Sequence, residues 1–192
     1  MRPTAPLPSA LADLDFTKPL PPEPAEKTPP DTKILQALQR EVKIGTGELG
    51  ESGYYVSFAR KRKPAATPRT GQARVVCCED DPTTRKSLEK LLGLAGYGIV
   101  AVGSGKELAA VLRSPPLPDA IILDVGLPDA NGFDIVRRLR AHEHFKDIPI
   151  VMFTGHGETE DIMRGLILGV DAYITKPATL ETLRSTLASI LG

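Results

Sequence analysis

The sequence contains no tryptophan, only two cysteines, no net charge and no long apolar run. Cys77 and Cys78 are adjacent, too close to close a loop and too few for a cysteine zinc site, so we expect a reducing, cytoplasmic setting. No segment approaches the roughly 18–20 apolar residues that cross a bilayer, so we expect no membrane insertion. Its 24 basic and 24 acidic side chains cancel, which removes the positive excess of nucleic-acid-binding proteins.

Proline divides the chain of 192 residues into two unlike parts. Eleven of the 18 prolines lie in residues 1–72, which carry eleven basic and eight acidic side chains. Because proline lacks an N–H donor and restricts its neighbour, we expect 1–72 to be a flexible extension, with 1–30 extended and solvated and the tail largely disordered. The basic run 60–63 stands beside Pro64 and is typical of a solvated linker, so we expect no nucleic-acid binding.

Two short elements are predicted inside this extension. Asp31 can cap a helix over residues 31–42, and alternating apolar residues predict a strand over residues 54–59. A unit of about thirty residues cannot bury a core of its own. Two interpretations therefore stay open: a weakly ordered linker, or an element that docks on another surface or associates with itself.

Residues 73–192 alternate short apolar runs with helical patterns, which is the pattern of βαβ units. The predicted strands are 75–78, 99–102, 120–123, 150–153 and 172–174, and a helical pattern follows each of them. Because such crossovers are right-handed, we predict an α/β fold with a doubly wound, five-stranded parallel sheet. We expect the flavodoxin-like strand order 2-1-3-4-5 in a three-layer sandwich.

Polar side chains follow four of these strands, at the sheet edge where doubly wound folds bind ligands. They are Glu79 and Asp80 after the first strand, Asp124 after the third, Thr154 after the fourth and Lys176 after the fifth. Carboxylates packed together repel one another unless a cation lies between them, and hard oxygen ligands suit Mg²⁺ or Mn²⁺. A carboxylate beside such an ion can attack a phosphoryl group, while an ammonium and a hydroxyl stabilise its oxygens.

Four strings in order, VVCCEDDP, IILDVGLPDANGFD, IVMFTGHG and DAYITKP, resemble the receiver domain of two-component response regulators from about Arg74 to Leu191. The resemblance implies that Asp124 is the phosphoacceptor, assisted by Thr154 and Lys176. It also implies roles for the following residues: Glu79, Asp80, Asp124 and the backbone carbonyl of Gly126 as ligands of Mg²⁺ or Mn²⁺; Thr154 and Tyr173 as the switch pair; Gly126 and His156 as residues that tune the rates. The face of the fourth helix, fifth strand and fifth helix would then be the output surface.

The same resemblance implies partners in bacterial signalling rather than a conventional enzyme. The phosphodonor would be a sensor histidine kinase or a histidine phosphotransfer protein, the downstream protein is unknown, and phosphorylation could drive dimerisation. Since the sequence stops after the fifth helix, we expect output by protein contact. The alternatives are a phosphorelay shuttle or the receiver portion of a hybrid kinase system, with the N-terminal arm, residues 1–72, as a docking or dimerisation element.

Two other classes fit the strand ends less well. Phosphatases of the haloacid dehalogenase kind place a second aspartate two residues after the nucleophile, where this chain has Gly126. A flavodoxin needs aromatic flanks and a phosphate loop after its first strand, but here that loop is acidic.

Overall fold

The computed structural model describes residues 14–18, 20, 71–155 and 159–192, and the backbone of 42–45 and 55–58. These residues contain seven strands: β1 Val42–Gly45, β2 Tyr55–Phe58, β3 Arg74–Cys78, β4 Gly98–Val102, β5 Ala120–Leu123, β6 Ile150–Thr154 and β7 Ala172–Thr175. They contain five helices: α1 Pro82–Leu94, α2 Gly105–Leu112, α3 Gly132–Ala141, α4 Thr159–Leu168 and α5 Leu180–Leu191. Within the described residues, every helix is too short or too polar to cross a bilayer.

All seven strands form one sheet in the order β1-β2-β7-β6-β5-β3-β4. Strands β3 to β7 are mutually parallel, and their order is the predicted 2-1-3-4-5 arrangement, which is confirmed. Strands β1 and β2 extend the sheet beyond β7 as an antiparallel pair.

Two apolar cores lie on the two faces of the sheet and make the three-layer sandwich. One core packs α2, α3 and α4 against the sheet, and the other packs α1 and α5. Neighbouring residues of β3 alternate between them: Val76 and Cys78 belong to the first core, Val75 and Cys77 to the second. A strand buried on both faces reads as a continuous apolar run, which is why the sequence pattern identified it.

Short polar side chains begin four of the helices close to the strand ends. Asp81 accepts a hydrogen bond from Thr84 N at 2.7 Å, and Asn131 accepts one from Phe133 N at 2.9 Å. Ser104 and Thr179 cap α2 and α5 in the same way. These caps satisfy backbone N–H groups that have no partner within the helix, and they fix the loops that carry the polar strand-end residues.

The N-terminal extension differs from a solvated tail at several places. Leu14 and Phe16 are only 6% and 3% exposed and pack into the core under α2 and α3. Strand Tyr55–Phe58 lies within the predicted strand 54–59. The predicted helix 31–42 lies outside the described residues except for Val42, which begins strand β1 instead of ending a helix.

A buried ion pair joins α3 to the start of β7. The Arg140 guanidinium lies 3.0 Å from Asp171 Oδ2 and also donates to the carbonyl oxygens of Gly169 and Ile148, at 2.8 and 2.9 Å. The same Asp171 oxygen accepts from Ile150 N at 2.9 Å, which ties β7 to β6. Both charges are therefore satisfied by several partners at once.

Replacing Arg140 by methionine should destabilise the protein, because the buried Asp171 carboxylate would lose its counterion. We expect the free energy of unfolding in urea to fall by about 3 kcal/mol. The matched control is Arg184→Met, which removes the exposed ion pair with Glu181 and should leave unfolding unchanged. Equal effects of the two substitutions would show that the buried pair is not a structural determinant.

Candidate metal site

Three carboxylates meet where strands β3 and β5 end. Oxygen atoms of Glu79, Asp80 and Asp124 lie within 4.8 Å of one another. Backbone hydrogen bonds hold these positions, because Glu79 N donates to Val102 O at 3.0 Å and Asp124 N donates to Cys78 O at 2.9 Å. Glu79 and Asp124 are buried, whereas Asp80 is exposed. The sheet thus presents the cluster at its edge with one side open to solvent.

Lys176 follows β7 and joins this cluster from the other side of β6. Its Nζ atom lies 2.6 Å from Glu79 Oε2 and 2.6 Å from Asp124 Oδ2. Burial opposes the charge of the ammonium, but the hydrogen bonds to the two carboxylates outweigh it and raise the pKa of Lys176. The residue is therefore a cation at neutral pH, and its backbone N–H donates to Thr154 O at 2.8 Å.

One ammonium does not balance three carboxylates. Burial raises the pKa of Glu79, and the contact with Lys176 offsets this only in part. Glu79 Oε1 is buried, and within the described residues it accepts no hydrogen bond of good geometry. A buried oxygen of this kind beside two further carboxylates fits a divalent cation, and an all-oxygen donor set fits Mg²⁺ or Mn²⁺.

Three residues that the sequence reasoning did not assign to the site hold its loops in place. Arg85 of α1 donates from Nη1 to the carbonyl oxygens of Glu79 and Asp80, at 2.7 and 2.9 Å. Asp129 accepts from the first two N–H groups of α2, at 2.7 and 2.9 Å. A Cβ at Gly132 would lie 2.3 Å from the carbonyl oxygen of Asp124, so only glycine fits there. Asn-Gly at the start of a helix is the one local signal that pointed to this close approach.

The structure places the remaining predicted residues as follows. Thr154 is fully buried at the end of β6, opposite Thr175 of β7. Tyr173 is fully buried and packs beside Gly165 of α4, and burial raises the pKa of its hydroxyl. Gly126 forms an isolated bridge with Asn131 in the loop after Asp124. His156 lies outside the described residues.

The family model for the response regulator receiver domain matches residues 75–188, which include every strand and helix from β3 to α5 in whole or in large part. This chain belongs to the response regulator receiver domain family. The three-carboxylate cluster and Lys176 lie inside the matched region. In this family the domain is a phosphoacceptor signalling module of two-component systems rather than a conventional enzyme, and its acidic pocket binds Mg²⁺.

Some known proteins match this receiver domain over nearly their whole length, and others match it over only part of their length. The chemotaxis protein CheY1 of Helicobacter pylori is 32% identical over 120 residues, 62% of this chain and 97% of that protein. A protein of Guillardia theta named probable transcriptional regulator ycf27 is 33% identical over 118 residues, 62% of this chain and 45% of the relative. This chain therefore spans about half the length of the transcriptional regulators that it matches.

Solved structures agree with the fold. Chemotaxis response regulator CheY4 of Vibrio cholerae superposes with a TM-score of 0.59 at 30% identity, covering 62% of this chain and 99% of that chain. The phosphorylated cyanobacterial phytochrome response regulator RcpA gives a TM-score of 0.55 at 26% identity, covering 62% and 91%. The shared part is the receiver domain, and the N-terminal arm lies outside it.

Replacing Glu79 by glutamine should stabilise the metal-free protein and weaken its affinity for Mg²⁺. Because folding raises the pKa of Glu79, the ionised side chain weakens the fold at neutral pH, and a neutral isostere removes that cost. We expect a Tm higher by about 3 °C without Mg²⁺ and a Kd for Mg²⁺ higher by about tenfold.

The pH dependence of the higher Tm tests whether the charge of Glu79 is its cause. As pH falls below the ordinary glutamate pKa, wild-type Glu79 becomes protonated and the difference in Tm should disappear. Differential scanning calorimetry with and without Mg²⁺ measures both effects. A lower Tm for Glu79→Gln at neutral pH would contradict this reading of the site.

Replacing Gly132 by alanine should displace the Asp124 loop, because the new methyl group would collide with Asp124 O. We expect a loss of about 2 kcal/mol in the free energy of unfolding, measured in urea. Gly93→Ala is the matched control, since nothing lies within 4 Å of a Cβ there. If Gly132→Ala were as stable as Gly93→Ala, the close approach would not constrain the loop.

Proposed function

We propose that this receiver domain accepts a phosphoryl group on Asp124 with Mg²⁺ from a sensor histidine kinase or a histidine phosphotransfer protein. One observation carries the proposal: the Lys176 ammonium contacts Asp124 Oδ2 at 2.6 Å inside a carboxylate cluster that is open to solvent. A buried nucleophile, a fixed cation and a set of metal ligands are the parts that phosphoryl transfer requires. The most favourable place for a phosphoryl group is therefore beside Asp124.

The chain's own residues orient the nucleophile. Val125 N donates to Asp124 Oδ1 at 2.6 Å, and Lys176 holds Oδ2. In the transfer, one carboxylate oxygen forms a bond to phosphorus while the bond from phosphorus to the donor breaks, and the donor leaves with that electron pair. Lys176 then pairs with a phosphoryl oxygen. Mg²⁺ held by Glu79, Asp80, Asp124 and the Gly126 carbonyl would neutralise charge on the phosphoryl oxygens.

Thr154 and Tyr173 connect this event to the surface. Thr154 ends β6 and accepts a hydrogen bond on its carbonyl from Lys176 N, so the two strand ends move together. In this proposal the Thr154 hydroxyl contacts a phosphoryl oxygen, and Tyr173 then shifts against α4. The output face is then α4, β7 and α5. Gly126 and His156 flank the site in sequence and would tune transfer and hydrolysis.

In this proposal the receiver domain passes its signal on by contact with another protein. It does so in the cytoplasm, where phosphodonor kinases act. This assignment is supported by the match to a chemotaxis protein over nearly its whole length. The partner on the output face is a downstream protein, or a second copy of the phosphorylated chain. A phosphorelay shuttle, or the receiver portion of a hybrid kinase system, would use the same acceptor and differ only in where the phosphoryl group goes next.

Intact mass spectrometry of the full chain with acetyl phosphate tests the acceptor chemistry. We expect a gain of roughly 80 Da, one phosphoryl group, that requires Mg²⁺ and is absent in Asp124→Asn. Asp134→Asn is the matched control, because Asp134 lies on α3 outside the carboxylate cluster. No gain in a wild-type protein that binds Mg²⁺, or an equal gain in Asp124→Asn, would contradict the proposal.

A further inference from the structure

Residues 14–18 bind in a groove between α2 and α3. Leu14 and Phe16 belong to the same buried core as Leu108 of α2 and Val136 of α3. The backbone of the segment is also held from both helices: Arg113, at the end of α2, donates to Leu14 O at 3.1 Å, and Arg138 of α3 donates to Lys18 O. The segment itself lies outside the region that matches the receiver family, whereas the two helices that hold it lie inside that region.

The groove and the segment fit one another closely. Gly105 begins α2, and a Cβ at that position would lie 2.9 Å from Ala130 Cβ and 3.3 Å from Phe16 Cβ, so Phe16 packs closely on the start of α2. Asp15 turns the segment, because its Oδ1 atom accepts from Thr17 N at 3.0 Å and from Thr17 Oγ1 at 2.7 Å. The two apolar side chains therefore point into the groove, while Thr17 is exposed.

The second contact of the arm is with the sheet. Strand β2 pairs with β7, with Val56 opposite Tyr173 and Ser57 opposite Ala172, and β1 pairs with β2. Without this pairing, β7 would end the sheet and present unpaired N–H and C=O groups, which other chains can bind. The arm covers the edge of the strand that directly precedes Lys176.

The two contacts support each other. A two-stranded ribbon such as β1 and β2 is only marginally stable by itself. Here the chain before the ribbon is held in the groove through residues 14–18. The chain after the ribbon continues into β3, so the ribbon is tethered at both ends. A double tether raises the effective concentration of β2 at the β7 edge, so binding in the groove strengthens the pairing without any direct contact.

We propose that residues 14–18 together with β1 and β2 form an N-terminal clamp, an intramolecular ligand that closes the β7 edge against a strand of a second chain. The groove between α2 and α3 is its anchoring site and takes an extended Leu-x-Phe segment. Under the proposed function β7 belongs to the output face, so the clamp would govern access to that face. This last consequence rests on the proposed function, whereas the clamp itself does not.

Hydrogen–deuterium exchange of the unphosphorylated full chain tests the clamp. In the double variant Leu14→Ala, Phe16→Ala, we expect amides of β2 and β7 to exchange at least about tenfold faster, because one tether is lost. Leu94→Ala is the matched control, since Leu94 is an apolar residue that is 76% exposed on α1. Unchanged exchange at β2 and β7 in the double variant would overturn the proposal.

A second variant tests the coupling from the other end and leaves Leu14 and Phe16 unchanged. Val56→Pro removes a strand N–H and should release β2 from β7. Because coupling is reciprocal, exchange at residues 14–18 should also rise. Faster exchange only around β2 would show two independent contacts and overturn the clamp. Neither measurement needs Mg²⁺ or a phosphodonor, so a failure to form the phosphoryl adduct would count against the proposed function alone.

Discussion

The contact of one ammonium with two buried carboxylates joins three strand ends of this structure. Lys176 comes from the end of β7, Glu79 from the end of β3 and Asp124 from the end of β5. The three residues meet because the 2-1-3-4-5 strand order places these strand ends along one edge of the sheet. Without the ammonium, the carboxylates would repel one another, and a proton or a bound cation would have to offset that repulsion.

The burial of charge at this site lowers the stability of the fold, and the rest of the fold offsets that loss. Glu79 is buried with a raised pKa, although a neutral side chain of the same shape would be cheaper to bury. The loops that present it are fixed from outside, by the Arg85 guanidinium and by the close approach at Gly132. A costly buried charge held by rigid neighbours is typical of a site that binds a cation, and it explains why stability and Mg²⁺ affinity should change in opposite directions there.

The parallel sheet could be predicted from the sequence because its strands are buried on both faces and its polar residues stand directly at their ends. The side-chain contacts around it could not, since no sequence pattern shows that Arg85 donates to the carbonyl oxygens of Glu79 and Asp80, or that Arg140 pairs with Asp171. The docking of Leu14 and Phe16 was also missed, because two apolar residues among prolines have no periodicity and their partners lie on α2 and α3. At Val42, pairing with β2 replaced the local helical pattern.

The most direct test of the account is to locate the phosphoryl group in the chain. Borohydride reduces an aspartyl phosphate to homoserine, which peptide mass spectrometry identifies by position. After phosphorylation with a small donor and Mg²⁺, the account predicts homoserine at position 124 and at no other aspartate, because Asp124 alone among the aspartates that the structure describes combines a buried carboxylate with the Lys176 ammonium and the neighbouring metal ligands. Homoserine at Asp80 or Asp129, or phosphate on a residue outside the carboxylate cluster, would contradict it.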